Sequence, residues 1–435
     1  MPLFGTAEPT PTGQALFAII LMQLIVILAA ARLCGRLARF VRQPVVVGEI
    51  LGGIILGPSL FQPLFPELSA YLFHPVTKPA FQAMKELGLM LLLFLVGMEF
   101  EFSHLKHLGR AAVSISVVGI ALPFVLGLGL APILHSQLEL TTPFWGLALF
   151  LGTALSITAL PVLGRIMMEL GITKTRLGTV TISAAAVDDA VAWILLATII
   201  AAIHSAFDPL LMLRMSGLTL LFLGVMIFVV RPLLHKLIDW HLRHTRQHLD
   251  TWSLAGLLIL LFLCGLTTLK IGIFPEFGAF VLGACLSGHA RLHHALGDSF
   301  RNFITAFFLP IFFTYTGLNT NIGGLNSWLQ VGLTVLVIAV AVFGKFAGCT
   351  LIARWNGFAW REASIIGAMM NTRALVALIV INVGFEQGIL NQTLFTILVL
   401  MAIITTIMTT PFIGQWYKGT ELEPAIAQSG FYSRK

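Results

Sequence analysis

The chain reads as a succession of apolar runs divided by short polar connections, and each run is about the length that crosses a 30 Å hydrocarbon core as a helix. About thirteen such segments are predicted, at 15–33, 44–58, 83–102, 111–134, 143–169, 175–203, 213–235, 254–270, 275–288, 302–319, 328–352, 360–385 and 392–416. No stretch is left for a sizeable soluble domain. The second and ninth segments ("EILGGIILGPS", "FGAFVLGACLSG") are short and glycine-rich, a composition that suits broken or re-entrant helices. The first follows "MPLFGTAEPTPTGQ", which has no basic n-region, so it reads as a retained helix.

Composition agrees with the pattern. Of the 435 residues, 57% are hydrophobic and only 10% charged, far from soluble-globular averages. The basic residues alternate along the chain. With the N-terminus outside, one side holds Arg32, Arg36, Arg39, Arg42, Lys106, Arg110, Arg165, Lys174, Arg176, Arg231, Lys236, Arg243, Arg246, Arg291, Arg301, Arg354, Arg361, Lys418, Arg434 and Lys435. Lys78, Lys85, Arg214 and Lys270 fall on the other side, and Lys345 and Arg373 fall within spans. The positive-inside rule then gives an outer N-terminus and a cytoplasmic C-terminus. Topology accounts for the net charge of +7, so nucleic acid is not expected as a partner.

The candidate chemistry lies at mid-depth. Asp188 and Asp189 sit at the centre of the sixth span, where a charge is expensive and cannot snorkel out. Adjacent helical positions point about 100° apart, so one carboxylate can face a cation path while the other pairs with a base. The fifth span carries Ser156, Thr158 and Pro161 near its midpoint, and the twelfth carries Asn371, Thr372 and Arg373. These two polar interruptions are seven segments apart, so their helices run in opposite directions, as in an inverted repeat whose two broken helices meet at the midplane. Half-helix ends that meet there need neutralising charges, with Arg373 facing carboxyl ends and an acid the amino ends. Lys345, in the inner half of the eleventh span, either snorkels to the cytoplasmic surface or pairs with Asp188 or Asp189.

"RQPVVVGEILGGIILGPS", "LLLFLVGMEFEF", "LSITALPVLGRIMMELGI", "SAAAVDDAVAWILLA", "FGAFVLGACL", "FFTYTGL", "GKFAG" and "MNTRALVALIVINVGFEQGIL" resemble, in order and spacing, the cation:proton antiporter-2 family of the sodium/proton exchanger superfamily, near the plant cation/proton exchangers and their bacterial relatives. The resemblance implies an all-α polytopic membrane protein of about thirteen helices, built as an inverted repeat around two crossed, broken helices. It also implies a core at about 111–203 and 328–416, a dimerisation scaffold at about 15–58 and 213–288, a homodimer in a bacterial inner (plasma) membrane, and elevator-like alternating access. Asp189 matches the family's ligand for cation and proton, and Asp188 the first acid of the doublet. Lys345 matches the eleventh-span base and Arg373 the crossed-helix arginine. Ser156 and Thr158 join the doublet as ion ligands, and Asn371 joins Lys345 and Arg373 as a charge partner. Gated potassium-efflux members carry a long nucleotide-binding tail; only residues 417–435 follow the last span here, so no such domain is expected. The tyrosine and threonines of "FFTYTGLNT" and the acid of "FPEFGAF" depart from the family pattern and receive no role.

The expected function is secondary active exchange of Na⁺ or K⁺ for protons. A second titrating group can add a proton to the cycle and make it electrogenic, and the resemblance favours electrogenic exchange. The alternative is a cation channel or a potassium-efflux pore component gated by a separate subunit, although no filter sequence of repeated carbonyl or charged rings is evident. An intramembrane aspartyl protease needs two acids converging on one proton, whereas residues 188 and 189 diverge. No G-x-x-x-x-G-K-[ST] motif is present, so ion gradients rather than ATP are the expected drive. No cofactor or enzymatic activity is expected; the partners are membrane lipid, monovalent cations and protons. Cys34, Cys264, Cys285 and Cys349 stand singly and are read as packing residues. The histidines of "HLRHTRQHLD" and "HARLHHAL" are read as solvated loop residues.

Overall fold

The computed structural model describes residues 13–99, 109–140, 142–204, 209–244, 251–287, 301–429 and 431–432. The histidine cluster "HARLHHAL" lies outside them, as do Lys106, Arg246, Arg291, Arg434 and Lys435. The principal helices are α1 (Gln14–Phe40), α2 (Val45–Leu56), α3 (Lys78–Glu99), α4 (Arg110–Gln137), α5 (Phe144–Ser156), α6 (Leu160–Leu170), α7 (Arg176–His204), α8 (Pro209–Val225), α9 (Thr251–Ile271), α10 (Pro275–Leu286), α11 (Leu309–Leu318), α12 (Trp328–Val342), α13 (Trp360–Met370), α14 (Ala374–Glu386) and α15 (Gln392–Trp416). No strand occurs among the described residues. Among the described residues, eleven helical spans are long and apolar enough to cross a membrane, and Phe144–Ser156 and Pro275–Leu286 are shorter apolar helices. Each of the thirteen predicted segments has its counterpart.

The breaks fall in the fifth and twelfth segments. Between α5 and α6 residues 157–159 leave the helix, and between α13 and α14 residues 371–373 do so. The second and ninth segments, whose composition suits broken or re-entrant helices, are short and unbroken as α2 and α10. Their glycines permit backbone contact instead. A Cβ on Gly53 would meet Phe313 O at 2.5 Å, and one on Gly283 would meet Phe94 O at 2.1 Å. In a bilayer, where helices gain little from burying apolar side chains, close backbone packing at small residues is what holds them together.

Two packing groups result. In one, α3 lies along α10 and α11, α1 lies along α2, and α2 packs on α11. In the other, α4 contacts α5, α7 and α12, while α15 packs on α12, α13 and α14. Contacts between the groups are sparser, for example where α2 meets α14 and α15. Helix α12 continues through a π-helical turn, Phe343–Ala347, into Gly348–Trp355. Such single π-turns recur at functional sites, and this one carries Lys345.

Candidate ion-binding site

The two interrupted helices cross. Ala159 N–H donates to Thr372 O at 2.8 Å, and Thr158 Oγ1 lies 3.0 Å from Met370 O. The extended segments thus satisfy some of the backbone groups that a helix break leaves open. At the crossing, the carboxyl end of α5 meets the guanidinium of Arg373, which is fully buried. Arg373 Nη1 donates to Leu155 O, and Nη2 reaches Ala341 O at 2.7 Å and Asn371 Oδ1 at 3.4 Å. A cation at the negative end of a half-helix dipole is the arrangement the sequence called for. Asn371, at the carboxyl end of α13, therefore acts on Arg373. Thr372 Oγ1 pairs with Thr409 Oγ1 at 3.0 Å, and the Arg373 amide donates to Thr406 Oγ1 at 3.3 Å.

Asp188 and Asp189 of α7 are both buried, at 0% and 1% exposure, and their surroundings differ. Asp188 is fully engaged. Its Oδ1 accepts from Ser116 Oγ at 2.6 Å, and its Oδ2 faces Thr158 Oγ1 at 2.9 Å and Lys345 Nζ at 2.5 Å. Lys345 is itself fully buried, and its other two donors go to Gly119 O at 2.8 Å and Ser156 O at 2.5 Å. All three ammonium hydrogens are placed, so Lys345 does not snorkel. Ser156 meets the lysine through its backbone carbonyl; its hydroxyl turns back to Thr153 O at 2.9 Å.

Asp189 is the opposite case. Neither carboxylate oxygen has a hydrogen-bond partner among the described residues. The amide of Leu160, first residue of α6, acts on the carboxyl without reaching hydrogen-bond geometry. An acid therefore faces the positive end of the second half-helix, mirroring Arg373 at the first. A buried carboxylate with two free oxygens costs several kcal/mol unless it binds a proton or a cation. That arrangement is chemically suited to exchanging one for the other.

Several participants carried no signal in the sequence. Ser116 and Gly119 lie in an apolar run of α4. Trp193, one turn after Asp189, is fully buried with an unpartnered indole nitrogen, packed 6.0 Å from Phe274 and 5.9 Å from Phe280. Lys85, which the charge pattern assigned to the outer side, is 2% exposed and ion-paired with Glu386.

A family model described as "Sodium/hydrogen exchanger, transmembrane" matches residues 24–416. The Na(+)/H(+) antiporter NhaS4 of Synechocystis is 39% identical over 408 residues, covering 92% of this chain and 97% of that protein. Cation/H(+) antiporter 18 of Arabidopsis thaliana is 36% identical over 400 residues, 92% of this chain but 49% of that protein, so the chain spans about half the length of the plant relatives it matches. The sodium proton antiporter MjNhaP1 from Methanocaldococcus jannaschii superposes with a TM-score of 0.64 at 17% identity, covering 95% of this chain and 100% of that one.

Proposed function

We propose, since this chain belongs to the sodium/hydrogen exchanger family, that it exchanges a monovalent cation, Na⁺ or K⁺, for protons across the membrane. Asp189 is the group that carries either ion. The observation behind this assignment is the contrast within the doublet: Asp188 is held by Ser116, Thr158 and Lys345, while neither oxygen of buried Asp189 has a hydrogen-bond partner among the described residues. A carboxylate must lose its proton before it ligates a cation, so the two ions compete by chemistry alone.

Charge counting suggests the stoichiometry. Asp188, Asp189, Lys345 and Arg373 sum to zero when all are ionised, and to a single positive charge when Asp189 is protonated. A cation that displaces only the Asp189 proton leaves that positive charge in place, which gives one-for-one exchange. If Lys345 also releases its proton, the loaded site becomes neutral and the cycle moves charge. Lys345 is hydrogen-bonded to the acid beside the cation ligand, so a cation arriving at Asp189 adds positive charge next to the ammonium. Electrogenic exchange is the reading we adopt. Helices 111–203 and 328–416 act as the moving core against a dimerisation scaffold, in an elevator-like cycle.

The test is proton flux in proteoliposomes with each alkali cation under a controlled membrane potential. Cation-dependent proton movement that generates current, and that disappears in Asp189→Asn while the protein stays folded and dimeric, is the expected result. Substantial exchange by purified Asp189→Asn would overturn the assignment.

A further inference from the structure

A second group of charges lies between the two packing groups, away from the crossing. Lys85 on α3 is ion-paired with Glu386, the last residue of α14. The lysine belongs to the helices packed around α10 and α11, and the glutamate to those packed around α15 and α5. The pair therefore bridges the groups where few other contacts do. Beneath the ammonium lies the ring of Tyr315 on α11, 4.9 Å from its centroid, so the lysine is held over a face of its own group.

Lys85 is outnumbered. Glu276, in the first turn of α10 and 5% exposed, is within electrostatic range of Lys85, Glu86 and Glu386. Glu276 sits in the same packing group as Lys85, because α3 and α10 are in extensive contact. One ammonium thus has its partner Glu386 across the boundary and a buried carboxylate, Glu276, on the helix packed along its own. A lysine stem is long enough to choose between two such partners without backbone movement, and a buried ammonium left with none would be costly.

We propose that Lys85 is a two-position switch between the groups: it closes on Glu386 in the state described here and transfers to Glu276 when the core moves away. By the charge topology this contact is at the outer end of the helices, so the Glu386 position holds the outer path shut and favours the inward-facing state. Transfer to Glu276 keeps the lysine paired while the outer path opens. The proposal rests on the alternating-access reading above.

A ligand shifts a two-state equilibrium only through its differential affinity for the two states, and so does a substitution. Glu386→Gln removes the partner of the closed position, and Glu276→Gln that of the open one. The two variants should move the sidedness of transport in opposite directions. In oriented proteoliposomes, Glu386→Gln is expected to improve the apparent cation affinity at the outer face and weaken it at the cytoplasmic face, each about three- to tenfold. Glu276→Gln should do the reverse. A purely structural role would alter both faces alike, and equal or same-direction shifts would overturn the switch. A second measurement does not depend on affinity. Oxidising the K85C/E386C protein should arrest exchange and reduction restore it, whereas oxidising Q23C/T77C should leave exchange running, because Gln23 and Thr77, 2.9 Å apart between side chains, lie within one packing group. Full exchange by the oxidised K85C/E386C protein would also overturn the proposal. Failure of the Asp189 assignment is read separately, in Asp189→Asn with this contact intact.

Discussion

Replacing Lys345 with glutamine removes one charge from a site in which every hydrogen-bonding group of that lysine is used. Nζ lies 2.5 Å from Asp188 Oδ2, and neither side chain is exposed. Without it, Asp188 keeps only the hydroxyls of Ser116 and Thr158, and an uncompensated buried charge of this kind costs about 3–5 kcal/mol. The loss should appear as a drop of several degrees in melting temperature. Adding Asp188→Asn removes the orphaned charge and leaves mainly lost hydrogen bonds, about 1 kcal/mol each, so the double variant should be about 2–3 kcal/mol more stable than Lys345→Gln alone. The assay is a double-mutant cycle on thermal unfolding of the purified protein, with proteoliposome currents recorded on the same variants. Losses that add to within about 0.5 kcal/mol would refute the pairing as an energetic unit. Currents unchanged in the double variant would refute its part in moving charge.

Three further outcomes are expected. Asp189→Asn should not lower the melting temperature, because neither carboxylate oxygen has a hydrogen-bond partner among the described residues; a large destabilisation would mean that Asp189 has a structural partner. Cation and proton compete for one carboxylate, so the apparent Michaelis constant for the cation should fall as pH rises, by up to about tenfold per unit for one-proton competition. A constant that stays flat between about pH 6 and 9 would exclude a shared site. Arg373→Lys should destabilise by about 1.5–3 kcal/mol for each charged hydrogen bond lost, since a single ammonium does not reproduce the guanidinium fork that reaches Leu155 O and Ala341 O. A melting temperature equal to that of the parent would refute the capping role.

Thirteen segments and the two mid-depth interruptions were legible because each is a local departure from an otherwise uniform apolar pattern. Two acids, a lysine and an arginine inside spans also announce themselves, and opposite signs in one apolar volume make the Asp188–Lys345 partnership the economical arrangement. What escaped were residues whose role depends on a neighbour distant in sequence. A serine in "RAAVSISVVGIALPF" looks like any small packing residue until the fold brings Asp188 to it. The glycines of α2 and α10 suited a broken or re-entrant helix because glycine has two uses, backbone freedom and close approach, and only the facing helix distinguishes them. The charge pattern puts Lys85 at the outer side near the start of a span, and only the fold adds that it is buried against Glu386. Side-chain direction was equally hidden: Ser156 was read through its hydroxyl, whereas the fold presents its carbonyl to Lys345.

The crossing also bears on how the chain is assembled. Lys345 stands 157 residues after Asp188, and the Thr158 contact with Met370 spans 212. At ribosomal speeds of about 5–20 residues per second, the partner lysine is synthesised roughly 8–30 s after the acids. During that interval the nascent first half holds two mid-depth acids without the Lys345 ammonium that pairs with Asp188, an arrangement that is costly in the bilayer core. Completing the site then waits on a long-range closure that follows insertion of the first-half helices. A truncated first half should accumulate as a substrate for membrane quality control.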